Sequence, residues 1–414
     1  MNKITLNFSS VNGELHEKLF VFLHDDLSII LLPTLFAFSM VKTGSYHRKV
    51  FVEKKNGFVN VEFKVKSITY NTINEIASQL FSYISWVQQY SIGKHQISLE
   101  NHYNFPEILI NHYVNEVLVK EAKKGSTSAE HAVMALDAYY TWLAKTGIGT
   151  VKNIYIKPTA IVAARKNSRR RNVIKYLTPR LRSEYYRECD SLLDECILRA
   201  GGGLGIRSCE NRGFFLNDFS YGHIERKGLM TLFKEAELHP EKQVFEYFLS
   251  GEFSKSKGQK GGESRYLYLS RDLLLRFKLY FDTERSKSNK NTFFLTSSCA
   301  WEGYPIGPRQ GTNIFNKVKK KLLIKQKKGL IQPGIQIVDE EQSYHLLRHS
   351  AGTDCFYDLC ERNNIQVDDV TTHSAVMLEV AKLLGHALTG RYGPETTKLY
   401  IRLTREKLSL EEEL

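Results

Sequence analysis

The sequence lacks the features that mark several classes of protein. Its six cysteines include no Cys-x-x-Cys pair, which argues against a zinc ribbon and against a disulfide framework. Its longest apolar run, residues 27–41, spans fifteen residues and contains Pro33, whereas a membrane helix needs about twenty. No apolar stretch followed by a small-residue cleavage site marks a secretory signal. We therefore expect reduced thiols, no membrane partner and a cytoplasmic protein.

Positive charge is in excess. Lysine and arginine number 58 against 45 acidic residues, which gives a formal net charge of +13. This balance favours a polyanionic partner such as nucleic acid or an anionic membrane surface. The 414 residues exceed one ordinary domain of about 100–200 residues, and no internal repeat is evident. With 42% hydrophobic residues, the chain can fill two or three cores.

An alternating pattern predicts β structure near the N-terminus. Its apolar members are Val59, Val61, Phe63 and Val65. The Asn56-Gly57 pair ahead of them is typical of a hairpin turn. We expect residues 1–68 to be a β-rich segment, and its pattern indicates no chemistry.

Helical periodicity replaces the alternation further along the chain. Thr72 and Glu75 have the spacing of a capping box, and apolar residues then recur at steps of three and four. A second helical pattern runs from about residue 128 to residue 144. We predict a helical domain over residues 69–150, whose apolar stripes form its core.

Residues 151–175 are rich in positive charge and show little apolar periodicity. The basic residues are Arg165, Lys166, Arg169, Arg170, Arg171 and Lys175. We predict an interdomain linker that is solvated or lies along a phosphate backbone, and the two descriptions are compatible. Residues 176–414 then form a second domain, mainly helical, with a β-hairpin around residues 245–270.

The glycine run at residues 201–205 invites a nucleotide-binding interpretation. It lacks the Gly-Lys-Ser/Thr ending of a phosphate loop, and its spacing breaks the dinucleotide fingerprint. We predict a glycine-rich turn without a nucleotide. Arg207 and Glu210 follow it, three residues apart at the start of a helix.

His345 and His349 share one face of a helix at the spacing that metalloproteases use for zinc. Such an enzyme needs a glutamate after the first histidine, but Leu346, Leu347 and Arg348 stand between the two histidines. An arginine repels a metal cation. The pattern favours an anion, and we expect no metal.

Further along, Leu-Gly-His occupies residues 384–386 and Thr-Thr-Lys-Leu-Tyr occupies residues 396–400. In order and local context, five residues resemble the signatures of the tyrosine recombinase (phage integrase) family, which are His-x-x-Arg, Leu-Gly-His and a late tyrosine. They are Arg207, His345, Arg348, His386 and Tyr400. The resemblance covers residues 72–414. Tyr-Leu-Thr-Pro at residues 176–179 is similar to the phrase that commonly opens the family's catalytic domain.

The resemblance implies a mainly α fold with a small β-sheet (α+β). A helical SAM-like core-binding domain and a catalytic domain would form a C-shaped clamp on double-stranded DNA. It implies a homotetramer on two DNA sites, with accessory DNA-bending or directionality proteins as possible partners and a nucleoid-associated location. No cofactor is required, because the ester energy is conserved in a protein–DNA bond.

The resemblance also assigns roles around the phosphate. Arg207 and Arg348 would stabilise charge on the non-bridging oxygens by bidentate hydrogen bonds. His345 is the candidate base, and His386 would hydrogen-bond the phosphate. Glu210 would orient His345 or Arg207.

Tyr400 is the expected nucleophile. Its rival is Tyr392, which sits in an evident turn beside Gly390 and Gly393. The stretch between His386 and Tyr400 is longer than the family usually has, which leaves the path of this loop open but not the identity of the tyrosine.

A catalytic lysine is expected in the β-hairpin, where it would protonate the departing 5′ oxygen. We assign Lys257. Two extra glycines, Gly261 and Gly262, lengthen the turn and leave Lys260 or Lys255 as alternatives.

The expected function is site-specific DNA recombination of the integration or excision type, through a 3′-phosphotyrosine intermediate. The alternatives are relaxation of supercoils by a type IB topoisomerase-like enzyme and a DNA-binding accessory protein with a vestigial site. Residues expected to contact DNA are Arg165, Lys166, Arg169, Arg170, Arg171 and Arg265.

Two further segments have open interpretations. Seven lysines between residues 317 and 328 fit either a solvated helix face or phosphate contact. The tail at residues 401–414 has near-helical apolar spacing and is too short to be stable alone. It must dock on its own domain or on a neighbouring protomer.

Overall fold

The computed structural model divides the chain into two compact units, unit 1 (Met1–Arg171) and unit 2 (Asn172–Leu414). It describes residues 1–11, 14–53, 59–92, 95–96, 98–168, 175–254, 263–297, 302–371, 374–386 and 403–410. The division falls inside the predicted linker. In the described part of the chain, no helix is long and apolar enough to cross a membrane.

Unit 1 combines small antiparallel sheets with helices. Its strands are β1 (Asn2–Val11), β2 (Glu14–Leu23), β3 (Ser45–Glu53), β4 (Val59–Ser67), β5 (Ser91–Ile92) and β6 (His95–Gln96), which pair as successive hairpins. Its helices are α1 (Leu31–Thr43), α2 (Tyr70–Gln89), α3 (Glu107–His112), α4 (Ser126–Lys145) and α5 (Pro158–Ser168). A 3-10 helix, Leu99–Asn104, precedes α3, and a π-helix, Tyr113–Glu121, follows it directly.

Residues 1–68 share one hydrophobic core with the helices that follow. Phe22 of β2 and Phe36 of α1 lie in the same buried cluster as Ile84 of α2 and Leu136 of α4. The N-terminal segment is therefore part of unit 1, and it contains a helix besides its strands. The predicted alternating strand is present as β4, but its side chains from residue 60 to residue 67 are exposed on both faces.

The two predicted helices of unit 1 are confirmed as α2 and α4, but the capping box is wrong. The side chain of Thr69 caps α2 by accepting a hydrogen bond of 3.4 Å from the amide of Thr72. Thr72 thus lies in the first turn. The predicted start was late because the first helical residues, Tyr70 and Asn71, carry no apolar periodicity.

Two asparagines fix the extended segment that follows α4. Asn111 exchanges hydrogen bonds with the backbone of residues 153 and 155, and Asn115 does the same with residues 155 and 157, at 2.7–3.1 Å. Helix α5 then packs Ala160 and Ala164 into a small cluster with parts of α4 and the π-helix. Most of the predicted linker therefore belongs to unit 1. Alanines formed its apolar face, which is why the sequence showed no clear periodicity there.

Unit 2 is helical around two small antiparallel hairpins. Its helices are α6 (Pro179–Arg187), α7 (Leu192–Leu204), α8 (Leu229–Leu238), α9 (Arg271–Thr283), α10 (Gln310–Lys327), α11 (Tyr344–Arg362) and α12 (Ala375–Leu384). Its strands are β7 (Phe219–Tyr221), β8 (Ile224–Arg226), β9 (Val244–Leu249) and β10 (Arg265–Ser270). The predicted hairpin is confirmed as β9 and β10, which pair with Arg265 opposite Leu249. The mainly helical α+β class is confirmed as well.

The glycine run is helical, which corrects the predicted turn. Gly201, Gly202 and Gly203 lie within α7, and Gly205 ends the helix in the left-handed region with φ of 62°. A Cβ at Gly201 would lie 2.6 Å from the hydroxyl oxygen of Tyr344, at the start of α11. The glycines therefore allow α7 and α11 to approach closely.

Gly201→Ala should lower the free energy of unfolding of unit 2 by about 1–3 kcal/mol, because the added methyl overlaps the buried ring of Tyr344. Gly203→Ala is the matched control. Its Cβ would meet only Leu273 at 3.8 Å, so the higher helix propensity of alanine should leave stability unchanged or raise it by up to about 1 kcal/mol. Differential scanning calorimetry of the full chain checks both. Equal effects of the two substitutions would contradict the close approach.

Candidate functional site

The turn after α7 folds back on itself around a glutamate. Arg207 caps the 3-10 helix Ser208–Gly213, and its main-chain amide donates a 2.8 Å hydrogen bond to Oε2 of Glu210. Its guanidinium Nη1 donates a second bond of 2.8 Å to Oε1 of the same carboxylate. Of the two residues that Glu210 was expected to orient, His345 and Arg207, these bonds link it to Arg207.

Three arginines converge on the fully buried Glu210. Arg265 of β10 binds it in a bidentate manner, at 3.2 Å to Oε1 and 2.8 Å to Oε2. Nη1 of Arg348 lies 3.8 Å from Oε2. Burial by itself would raise the pKa of Glu210, but the hydrogen bond and charge of Arg265, with the charges of Arg348 and Arg207, bring the pKa well below its ordinary value. The carboxylate is therefore ionised.

Arg348 joins the ends of two helices. It lies on α11 with 1% of its surface exposed, and its Nη1 donates a 2.6 Å hydrogen bond to the carbonyl oxygen of Gly205, at the end of α7. Its Nη2 donates to the carbonyl oxygen of Leu384, at the end of α12. Cationic groups are favourable at helix C-termini, where carbonyl groups point outward.

His386 follows α12 directly. Gly385 ends the helix with φ of 62°, and the amide of His386 donates a 2.8 Å bond to the carbonyl oxygen of Ala381. Burial, followed by the charges of Arg348, Arg207 and Arg265, lowers the pKa of His386 to about 3. Its ring is therefore neutral at neutral pH. It lies beside the three arginines, whose charges contribute to this shift.

His345 and His349 lie one turn apart on α11, with ring centroids 4.4 Å apart. His345 is exposed, whereas His349 is partly buried. Burial, with the nearby charges of His345, Lys175 and Arg348, lowers the pKa of His349 to about 3. Of the two histidines, His345 is therefore the more accessible from solvent.

Ser254 belongs to the cluster and was missed from the sequence. Its hydroxyl donates a 2.7 Å bond to Oε1 of Glu210 and accepts a 3.0 Å bond from Nη1 of Arg207. A lone serine before a lysine-rich stretch carries no pattern that would have singled it out. Ser254 lies five residues after the end of β9, and the pairing of β9 with β10 brings Arg265 to the same carboxylate.

Arg265, which was predicted to contact DNA, is directed to Glu210. Its side chain is 5% exposed, and its guanidinium is engaged with Glu210. The ion pair with the buried carboxylate of Glu210 holds the Arg265 guanidinium in the interior.

Several predicted residues lie outside the described part of the chain. They are Lys257, Tyr400, the alternatives Lys255, Lys260 and Tyr392, and Arg169, Arg170 and Arg171. Arg165 and Lys166 are described, and both are exposed on α5 of unit 1.

Intramolecular contacts hold four of the seven lysines around α10. Lys317 and Lys321 pair with Asp190, and Lys325 pairs with Glu188. Lys319 donates to main-chain carbonyl oxygens of residues 340 and 342. Much of this charge therefore fixes α10 to its own domain.

The tail docks on unit 2. Residues 403–410 are helical, and Leu403 is fully buried in a cluster with parts of α11 and α12. Nζ of Lys407 lies 3.2 Å from Oδ1 of Asp354, and Arg405 pairs with Asp368 at 2.6 Å. Residues 403–410 therefore pack on their own domain, which is one of the two predicted docking surfaces.

The site belongs to a mainly helical α+β unit. It lies at the C-terminal ends of α7 and α12 and on one face of α11. No protein-family model matches the sequence. No curated protein matches it either.

The solved structures to which this chain is similar include three complexes with DNA. The Tn1549 transposon integrase in complex with transposon right end DNA has a TM-score of 0.49 at 11% identity, covering 91% of this chain and 98% of that chain. The XerH site-specific recombinase bound to difH substrate has 0.47 at 15%, covering 81% and 78%. A lambda integrase dimer bound to a COC′ core site has 0.42 at 12%, covering 81% and 90%.

The stability of unit 2 should fall as the pH falls from 7 to 5. His349 and His386 titrate near pH 6.5 when unfolded and near pH 3 when folded, so only the unfolded chain takes up their protons in this range. The loss should be about 2 kcal/mol per histidine at pH 5. His386→Asn should remove about half of it, measured by calorimetry at both pH values. His223→Asn, at an exposed position, is the control and should leave the pH dependence unchanged.

Proposed function

We propose that the chain is a tyrosine recombinase that cuts and rejoins DNA at specific sites through a 3′-phosphotyrosine intermediate. The observation that carries the proposal is the convergence of Arg207 and Arg348 on the buried Glu210, with the neutral His386 beside them. These three residues lie 38 to 179 positions apart in the sequence, and they are the ones that the family signatures select.

A phosphodiester suits this cluster. Three guanidinium groups and one carboxylate leave two positive charges, which can be set against a phosphate and the further charge that develops as it is attacked. Arg207 has 24% of its side chain exposed and faces solvent, whereas Arg348 is buried. The side chains over Arg348 must therefore part as DNA binds. His386, being neutral, can donate a hydrogen bond without a change of protonation.

The covalent step exchanges one ester for another. The phenol oxygen of Tyr400 attacks phosphorus, its proton passes to His345, and the bond from phosphorus to the 5′ oxygen breaks. Lys257 donates a proton to that oxygen. The 5′-hydroxyl of a partner strand then attacks the phosphotyrosine and releases the tyrosine. Each step breaks one phosphorus–oxygen bond and forms another, so no external energy source is consumed.

Further DNA contact in this proposal comes from unit 1. Arg165 and Lys166 are exposed on α5, which the asparagine contacts and the alanine cluster fix to that unit. Positive groups on a rigid helix can track a phosphate backbone. Assembly as a homotetramer on two DNA sites, with accessory DNA-bending proteins, belongs to the same proposal.

Tyr400→Phe should abolish the covalent protein–DNA adduct on a nicked suicide substrate and leave DNA binding nearly unchanged, because only a hydroxyl is removed. Denaturing gel electrophoresis of the reaction detects the adduct, and a mobility shift measures binding. Tyr392→Phe is the control and should form adduct as the wild type does. An adduct that persists in Tyr400→Phe and disappears in Tyr392→Phe would move the nucleophile to Tyr392.

Arg207→Ala and Arg348→Ala should each slow adduct formation by roughly 100-fold or more, the scale for removing a preorganised donor from developing charge. Arg199→Ala is the control, since Arg199 pairs with Glu195 on α7 away from the cluster, and it should retain the wild-type rate. Rates are read from single-turnover time courses at saturating DNA. Wild-type rates in both cluster variants would overturn the phosphate-binding role.

A further inference from the structure

Arg265 connects three parts of the candidate site. It extends from β10, binds Glu210 of the 207–210 turn in a bidentate manner, and contacts the turn that carries His386. Its guanidinium is buried, and the ion pair reaches both carboxylate oxygens. No other arginine in the described part of the chain makes a bidentate pair with Glu210.

The contact with the His386 turn is sterically close. A Cβ built on Gly385 would lie 2.8 Å from Nη1 and 3.1 Å from Cδ of Arg265. Gly385 also has φ of 62°, a conformation that side chains rarely adopt. Residue 385 therefore needs to be glycine for two reasons, and one of them is the space that Arg265 occupies.

Arg265 also affects the charge balance of the cluster around Glu210. Glu210 accepts bonds from both Arg207 and Arg265, and Arg348 lies within 4 Å of it. Without Arg265 the carboxylate would be left with the two guanidinium groups that are proposed to bind phosphate. It would neutralise them more fully, and the cluster would lose one of its two net positive charges.

We infer that Arg265 is a positioning residue, which engages Glu210 and supports the 384–386 turn so that Arg207, Arg348 and His386 are directed at the phosphate. The inference rests on the proposed function. It replaces the expectation that Arg265 touches DNA.

Arg265→Met tests the inference against that expectation. Adduct formation at saturating DNA should fall by roughly 100-fold, with the dissociation constant for DNA within about threefold of wild type and an unchanged salt dependence of binding. Arg265→Lys should recover part of the rate, since it restores the charge but not the bidentate geometry. The exposed Arg165 provides the comparison: Arg165→Met should weaken binding and lower the slope of log K against log salt by about one.

A double variant separates positioning from a general effect on folding. Arg265→Met leaves a buried carboxylate with less compensation and should lower the melting temperature by about 10 °C. Arg265→Met with Glu210→Gln removes both charges and should recover most of that loss. The adduct rate should stay low in the double variant, because neither group then directs Arg207.

The outcomes are distinct. A wild-type adduct rate in Arg265→Met, a lower salt slope in that variant, or recovery of the rate together with stability in the double variant would each overturn the inference while leaving the proposed function intact. If the wild-type protein forms no adduct on any nicked substrate that it binds, the proposed function fails, and the inference fails with it.

Discussion

A single buried carboxylate holds the candidate site together. Glu210 lies where ionised acids are rarely found, and it stays ionised because arginines surround it. The dependence is mutual, because guanidinium groups buried without a counter-charge would be as costly as the carboxylate alone. The pairing therefore fixes the 207–210 turn, the start of β10 and the N-terminal part of α11 relative to one another. Helices α7 and α12 are included through the carbonyl groups that Arg348 binds.

What could be predicted from the sequence followed from local patterns. The spacing of apolar residues located α2 and α4, and alternation located β4, because periodicity is a property of a short window. The short motifs around Arg207, Arg348 and His386 named residues that the structure brings together. The glycine run was misjudged, since glycine signals a turn only where nothing packs against it. Gly201 faces a tyrosine ring, and the sequence does not show which residue crosses a helix.

The remaining differences come from partners distant in the chain. Ser254 and Arg265 reach Glu210 from the two sides of a hairpin, 44 and 55 residues away. No local pattern distinguishes a buried arginine from a solvated one, because the difference is made by a carboxylate elsewhere. The lysines of α10 are a similar case. Asp190 and Glu188 precede them by more than 120 residues, and these two carboxylates pair with three of the lysines.

The close approach of α7 and α11 has a consequence for how this sequence can vary. Tyr344, which touches Gly201, directly precedes His345, and Gly205, which accepts a bond from Arg348, ends the helix to which Gly201 belongs. The small size of Gly201 thus allows the close approach of α7 and α11 that places His345 and Arg348. A larger residue at position 201 would overlap the ring of Tyr344, which adjoins His345 at the start of α11. A larger residue at position 201 therefore requires a smaller one at position 344, so substitutions at the two positions should be correlated.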